Sequence, residues 1–263
     1  MTAPTARLVL ITGASSGIGQ ALAQRYAQQG WRLALVARRT DAIEAWLAPM
    51  QLAHGRCQVY AGDVSDVNAM AELARTCIAR QGVPDVVIAN AGISVGVDTS
   101  ERADLDVMAR VLATNVLGTA ATFGPFIRPL VARGTGTLVG IGSVAGIRGL
   151  PGHGAYCASK AAVISYCESL RGELRGSGVR VVTICPGYIA TPLTRNNRYH
   201  MPFLMQPDDF AQRAVRAIEA GDSYRVIPWQ MGWVAKLLRL LPNAWFDRAF
   251  AGRPRKPRAH DGA

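Results

Sequence analysis

Lysine is almost missing from this chain. Of its 29 basic residues only Lys160, Lys236 and Lys256 are lysines, so the formal charge of +11 is carried by arginines spread along the whole length. No zinc finger, basic helix or aromatic nucleic-acid module accompanies them, which sets nucleic-acid binding aside. What remains is a general attraction to anions, phosphates and acidic lipid included. Cysteine is sparse as well: Cys57, Cys77, Cys157, Cys167 and Cys185 lack metal-ligand spacing, and their odd number leaves one unpaired. Reduced thiols and a cytoplasmic setting are the simplest expectation, with no metal site. Long apolar runs are absent too. Nothing approaches the ~18 residues that cross a bilayer, and the run after Met1 to Arg7 is too short for a signal peptide. There is no internal repeat and no low-complexity tract; the last dozen residues, rich in Arg and Pro, read as a loose tail.

What the chain does have is alternation. Short apolar runs at 7–11, 33–37, 57–61, 86–89, 137–141, 179–184 and 225–227 are separated by helical patterns. That is the signature of a parallel sheet with helices on both faces. With 263 residues and 49% hydrophobic content the chain suits a single α/β unit with a sizeable core. After the first run comes Thr12-Gly13-Ala14-Ser15-Ser16-Gly17-Ile18-Gly19, and then a helix over 20–29. A strand, a glycine-rich turn and a helix N-terminus together form a phosphate cradle, because the glycines let the backbone approach and unpaired N–H groups face the anion. Gly13, Ser15, Ser16, Gly17, Ile18 and Gly19 are its candidate residues.

Further along, Tyr156 and Lys160 lie one helical turn apart, so phenol and ammonium project from one face. An ammonium beside a phenol favours the phenolate, and a tyrosine so tuned exchanges a proton with an alcohol or carbonyl oxygen. Ser143 closes the strand before them. Where an NAD-preferring fold places an acidic residue, this chain has Ala37 followed by Arg38 and Arg39, and guanidinium groups suit a ribose 2′-phosphate.

With these motifs in order, the chain resembles the short-chain dehydrogenase/reductase family in its single-domain form, over roughly residues 6 to 229. The resemblance rests on the glycine turn, Asp63-Val64, Asn90-Ala91-Gly92, Asn115, Ser143, Tyr156 with Lys160, and Pro186-Gly187 with Thr191; Ala89 departs from a commoner asparagine. It implies a Rossmann-type doubly wound parallel β-sheet and an NADP(H)-dependent reaction. In that reaction Ser143 binds a carbonyl oxygen, Tyr156 donates the proton, Lys160 holds the nicotinamide ribose, and Asn115 orders a water. It further gives Asp63 and Val64 to adenine, Asn90 to the adenosine ribose, Ala91 and Gly92 to the cofactor site beside it, and Pro186, Gly187, Ile189 and Thr191 to the nicotinamide. Arg38 is the expected 2′-phosphate ligand and Arg39 the second.

Residues 1–229 are thus expected to form the catalytic unit, with a substrate lid at about 188–206. Residues 230–263 are read as apolar helices and a basic tail, part of the same domain or peripheral to it. The lid's Tyr188, Leu193, Tyr199, Met201, Phe203, Leu204 and Met205 suit an apolar or long-chain carbonyl, unless they cover the protein's own core. His153 and His200 are read as packing or solvent histidines. The expected activity is NADPH-dependent carbonyl reduction, or its reversal as alcohol oxidation. Two alternatives remain: a long-chain keto-lipid reductase at a membrane surface, and a non-catalytic NADP(H)-sensing regulator. Helices over 101–131 and 155–176 are expected to pair with their copies in a homodimer or homotetramer. Trp233, Trp245, Phe246 and Phe250, beside Lys236, Arg239 and the tail's Arg253, Arg255, Lys256 and Arg258, would let the C-terminal region touch anionic lipid or close a pocket.

Overall fold

A computed structural model describes residues 6–195, 197, 199–252 and 254–259. Arg253 and the residues Met1 to Thr5 lie outside the described residues. Seven strands form one parallel sheet: β1 (Leu8–Thr12), β2 (Arg32–Ala37), β3 (Cys57–Ala61), β4 (Val86–Ala89), β5 (Gly136–Ile141), β6 (Val179–Pro186) and β7 (Tyr224–Ile227). Their order is β3-β2-β1-β4-β5-β6-β7, so the chain winds outward in one direction from β1 and in the other from β4. Each expected strand is present within a residue or two, and the sheet is the doubly wound Rossmann type. The switch point between β1 and β4 leaves a crevice at their carboxyl ends, where such sheets bind ligands.

Alternation along the strands supplies both halves of the core. In β1, Val9 and Ile11 join the apolar cluster on one face, and Leu8 and Leu10 join that on the other. All four are at most 1% exposed, as expected for parallel strands covered on both sides. The covering helices are α1 (Gly17–Gln28), α2 (Thr40–Leu47), α3 (Val67–Gln81), α4 (Arg102–Leu112), α5 (Gly118–Arg133), α6 (Gly154–Glu173) and α7 (Pro207–Ala220). Two more, α8 (Trp229–Leu240) and α9 (Asn243–Phe250), follow β7.

Two features near the site were not expected. Residues 113–117, between α4 and α5, form a π-turn centred on Asn115. Widening the helix there disturbs the regular carbonyl ladder, and the Thr119 hydroxyl donates to the Asn115 carbonyl at 2.8 Å. The described part of the C-terminal tail, moreover, is docked rather than loose. Gly96 N–H donates to the Pro257 carbonyl at 3.0 Å, and Arg258 Nε lies 2.7 Å from the buried carboxylate of Asp104. A composition rich in Arg and Pro says nothing of partners some 150 residues away, and those partners decide the outcome.

Candidate active site

The glycine turn joins β1 to α1. Gly13 and Gly17 have φ of +68° and +59°, a region other residues enter only with strain. Gly19 is required for space: a Cβ there would stand 2.2 Å from the Gly13 carbonyl oxygen. Asn90, just past β4, clamps the turn, its Nδ2 donating to the carbonyls of Thr12 and Gly13 at 2.9 and 3.2 Å. The Trp46 indole holds the far side by donating to the Ala14 carbonyl at 3.1 Å. Helix α1 opens with no capping side chain and no acidic residue in its first turn. Its N-terminal N–H groups are therefore not contested by a carboxylate, and an anion there is favoured.

An open cleft of about 440 Å³ runs from this turn across the strand ends. Every residue anticipated for cofactor or catalysis borders it except Gly19 and Asn115, which shape it from behind. Arg38 and Arg39 stand at its outer end, and Arg38 Nη1 lies 3.6 Å from Asp63 Oδ2 on an exposed surface. The other oxygen, Asp63 Oδ1, accepts from Ser65 N–H and Oγ at 2.9 and 2.7 Å. Those bonds, ahead of the Arg38 charge, hold the carboxyl below its usual range. A glycine cradle, an uncontested helix N-terminus and exposed guanidinium groups fit the phosphates of a nicotinamide dinucleotide.

At the inner end the reactive side chains converge. Ser143, 6% exposed, lies two residues past β5 and accepts from Ala145 N–H at 3.1 Å. Burial pushes the Tyr156 phenol up to about 12, against the opposing effect of its hydrogen bond with Ser143. Lys160 is buried, donates to the Ile141 carbonyl at 2.7 Å, and lies 5.9 Å from the centre of the Tyr156 ring. Burial lowers it to about 8. Desolvation is the largest cause at both groups, raising the phenol and lowering the ammonium, and the pull of the ammonium that the spacing suggests is not among the causes acting on Tyr156.

Asn115 is 1% exposed and spends its amide inside the protein. Oδ1 accepts from Ile93 N–H at 2.8 Å, while Nδ2 donates to the Ile93 carbonyl at 3.0 Å and to Ser159 Oγ at 2.9 Å. Ser159 Oγ in turn donates to the Tyr156 carbonyl at 2.7 Å. Both amide protons are thus spent in tying the loop after β4 to the helix that carries Tyr156.

A second cavity, of about 740 Å³ and mainly apolar walls, meets the cleft at Ser143 and Tyr156. Its walls come from the lid (Tyr188, Leu193, Tyr199, His200), from α8 (Met231, Val234, Ala235, Leu238), from α9 (Phe250) and from Lys256 of the docked tail. Other lid residues go elsewhere: Met205 is buried in the sheet core, and Phe203 and Leu204 are 51% and 48% exposed. The lid's ends are fastened by Met205 N–H donating to the Tyr188 carbonyl at 3.0 Å and Ala190 N–H to the Met205 carbonyl at 2.9 Å. His153 is not a solvent histidine. It lines this cavity with Nε2 3.2 Å from the Tyr199 hydroxyl and Nδ1 3.2 Å from the Pro151 carbonyl. Burial holds its pKa below the usual value. Sequence reasoning missed Arg148 as a site residue. Its guanidinium donates to the carbonyls of Leu238 and Leu241 and stacks over Phe246, pinning both C-terminal helices to the cavity rim.

Comparison with known proteins agrees with this geometry. A Myxococcus xanthus oxidoreductase is 40% identical over 243 residues, covering 92% of this chain and 96% of its own. A Burkholderia phymatum short chain dehydrogenase/reductase solved in complex with NAD superposes with a TM-score of 0.80 at 23% identity, over 96% of this chain and 97% of that one. An alcohol dehydrogenase from the archaeon Thermococcus sibiricus, complexed with 5-hydroxy-NADP, superposes with a TM-score of 0.73 at 26% identity, covering 84% and 95%. The family model for short chain dehydrogenases matches residues 7–202, and the chain belongs to that family of nicotinamide-dependent oxidoreductases.

Proposed function

We propose that the protein is an NADPH-dependent reductase of an apolar carbonyl compound. One observation carries this reading: the glycine-lined cleft and the apolar cavity meet at Ser143 and Tyr156, so a carbonyl group entering from the cavity reaches the proton donor where the cleft ends. The glycine turn, Arg38, Asn90 and Lys160 would hold the cofactor, which supplies the hydride. Ser143 orients the carbonyl oxygen by donating a hydrogen bond. Tyr156, a phenol that keeps its proton at neutral pH, passes it to that oxygen as charge develops there. Lys160 supplies positive charge beneath the site, and Asn115, through Ser159, fixes the helix that carries Tyr156. Ala37 at the end of β2 offers no carboxylate for a ribose hydroxyl, whereas Arg38 and Arg39 offer charge to a 2′-phosphate. Loss of NADPH absorbance is expected with a subset of medium-chain aldehydes and ketones. A protein that binds NADPH yet turns over none of a broad panel of aldehydes, ketones and oxo-acyl compounds would instead be a sensor.

A membrane-surface setting for the same chemistry has an observation of its own. On α8, Trp229, Trp233, Leu237 and Leu240 recur three or four residues apart and are 60–80% exposed, and Trp245 on α9 is 71% exposed. The opposite side of α8 lines the substrate cavity. Exposed indoles beside Lys236 and Arg239 suit the interface of anionic lipid, and no helix among the described residues is long and apolar enough to cross a membrane. Residues 230–259 therefore belong to the catalytic unit in this reading, with one side on the substrate and the other on lipid. Vesicles of phosphatidylglycerol should pellet the protein at low salt and release it at high salt, and W233S/L240S should abolish the effect. Self-association through α4, α5 and α6 is also expected; a single 28.1 kDa species in light scattering would refute it.

A further inference from the structure

Among its described residues the docked C-terminal strap carries three cations, Arg255, Lys256 and Arg258, and two of them are answered. Arg258 pairs with the buried Asp104, and Arg255 Nη1 lies 4.0 Å from Asp98 Oδ2 while its side chain runs over Gly152. Lys256, between them, turns to the substrate cavity. The residue is half-buried, and its ammonium donates to the Leu193 carbonyl of the lid at 3.1 Å in a solvent-exposed bond and forms no ion pair with a carboxylate among the described residues. No Asp or Glu stands among the described residues that border the cavity. Among the described residues, the other permanent cation bordering the cavity, Arg148, is consumed by the carbonyls of Leu238 and Leu241 and by Asn243. Lys256 thus keeps unused donors and an unneutralised charge in a mainly apolar wall. Burial there lowers its pKa, and its charge reaches His153 across the cavity, one cause of the lowered pKa of that ring.

An ammonium placed in such a wall is disfavoured until something negative arrives. We propose that Lys256 is the anion-recognising group of the substrate site, and that the substrate is an apolar carbonyl compound bearing a second, negatively charged group such as a carboxylate. The strap supplies the charge and its two flanking ion pairs hold it in place. The carbonyl part of this statement rests on the reductase reading above; the anion part does not.

The two parts separate experimentally. Equilibrium dialysis of decanoate and methyl decanoate, with neither cofactor nor turnover, reads the anion site alone. Decanoate should bind at least tenfold more tightly than the ester, the scale of one hydrogen bond between charged groups. K256M should erase that preference and K256R should keep it, with thermal melts of both variants confirming the fold. A wild-type protein that does not distinguish acid from ester, or a K256M protein that still does, overturns the proposal. With NADPH, an oxo acid and its methyl ester then give the kinetic arm: K256M should raise KM for the acid and collapse the acid-to-ester ratio of kcat/KM. An anion preference in binding without turnover of any oxo acid would sink the reductase reading and leave this site standing. Turnover of the ester with no preference for the acid would do the reverse.

Discussion

Replacing Asn115 with alanine tests whether the π-turn is held as described. The substitution removes three hydrogen bonds at once and strands two main-chain groups, the N–H and C=O of Ile93, with Ser159 Oγ as a third partner. A buried polar group left unpaired costs about 1–3 kcal/mol, and Ile93 is only partly buried, so the lower half of that range applies to each group. The expected loss is about 2–4 kcal/mol, or ~5–15 °C in Tm at roughly 2–4 °C per kcal/mol for a domain near this size. Circular dichroism melts and guanidinium unfolding at constant m-value would measure it. Because Ser159 also supports the Tyr156 carbonyl, kcat should fall together with stability. Asn115→Asp sharpens the test. Its Oδ1 can still accept from Ile93 N–H, but its second oxygen cannot donate to the Ile93 carbonyl or to Ser159 Oγ, so the variant should recover only part of the stability lost in Asn115→Ala. An Asn115→Ala protein melting within ~2 °C of wild type would refute the argument, since even one stranded group is worth about that much.

How far the sequence reached is best seen at particular residues. Gly13, Gly17 and Gly19 announce a phosphate turn because their spacing follows from local backbone geometry, and a seven-strand parallel sheet follows from alternation that any window reveals. Tyr156 and Lys160 are legible because helical periodicity fixes their common face. Their protonation was not. Proximity suggested that the ammonium would pull the phenol down, but the phenol is raised and the ammonium lowered, since desolvation depends on the whole surrounding fold. The tail was misread for the same reason: Arg258 is held by Asp104 and Pro257 by Gly96, partners with no signature near residue 258. The lid was half legible. Its apolar composition could not distinguish Tyr199 in the cavity wall from Met205 in the core or Phe203 in solvent, because an irregular segment lacks the periodicity that assigns faces.

Four further outcomes bear on the site itself. Tyr156→Phe keeps the ring but not the proton, so NADPH should still bind while reduction collapses. In wild type, reduction should show no loss from Tyr156 until the pH approaches its raised value of about 12, and any basic limb near 8 should disappear in Lys160→Arg. Arg38→Ala should weaken NADPH binding by about tenfold while sparing NADH, the lower end of the 10- to 100-fold range for a charged hydrogen bond, because the guanidinium is exposed and already shared with Asp63. Equal losses for both cofactors would count against a 2′-phosphate contact. Gly19→Ala drives a methyl to 2.2 Å from the Gly13 carbonyl and 2.5 Å from Asn90 Nδ2, and the carbonyl belongs to a turn that Asn90 and Trp46 already clamp. Since this clash lies behind the cleft and involves protein atoms alone, it should lower Tm by several degrees even without cofactor, at the ~1–3 kcal/mol typical of overpacking. A variant that melts like wild type but fails to bind NADPH would instead place Gly19 against the cofactor itself and contradict the packing described.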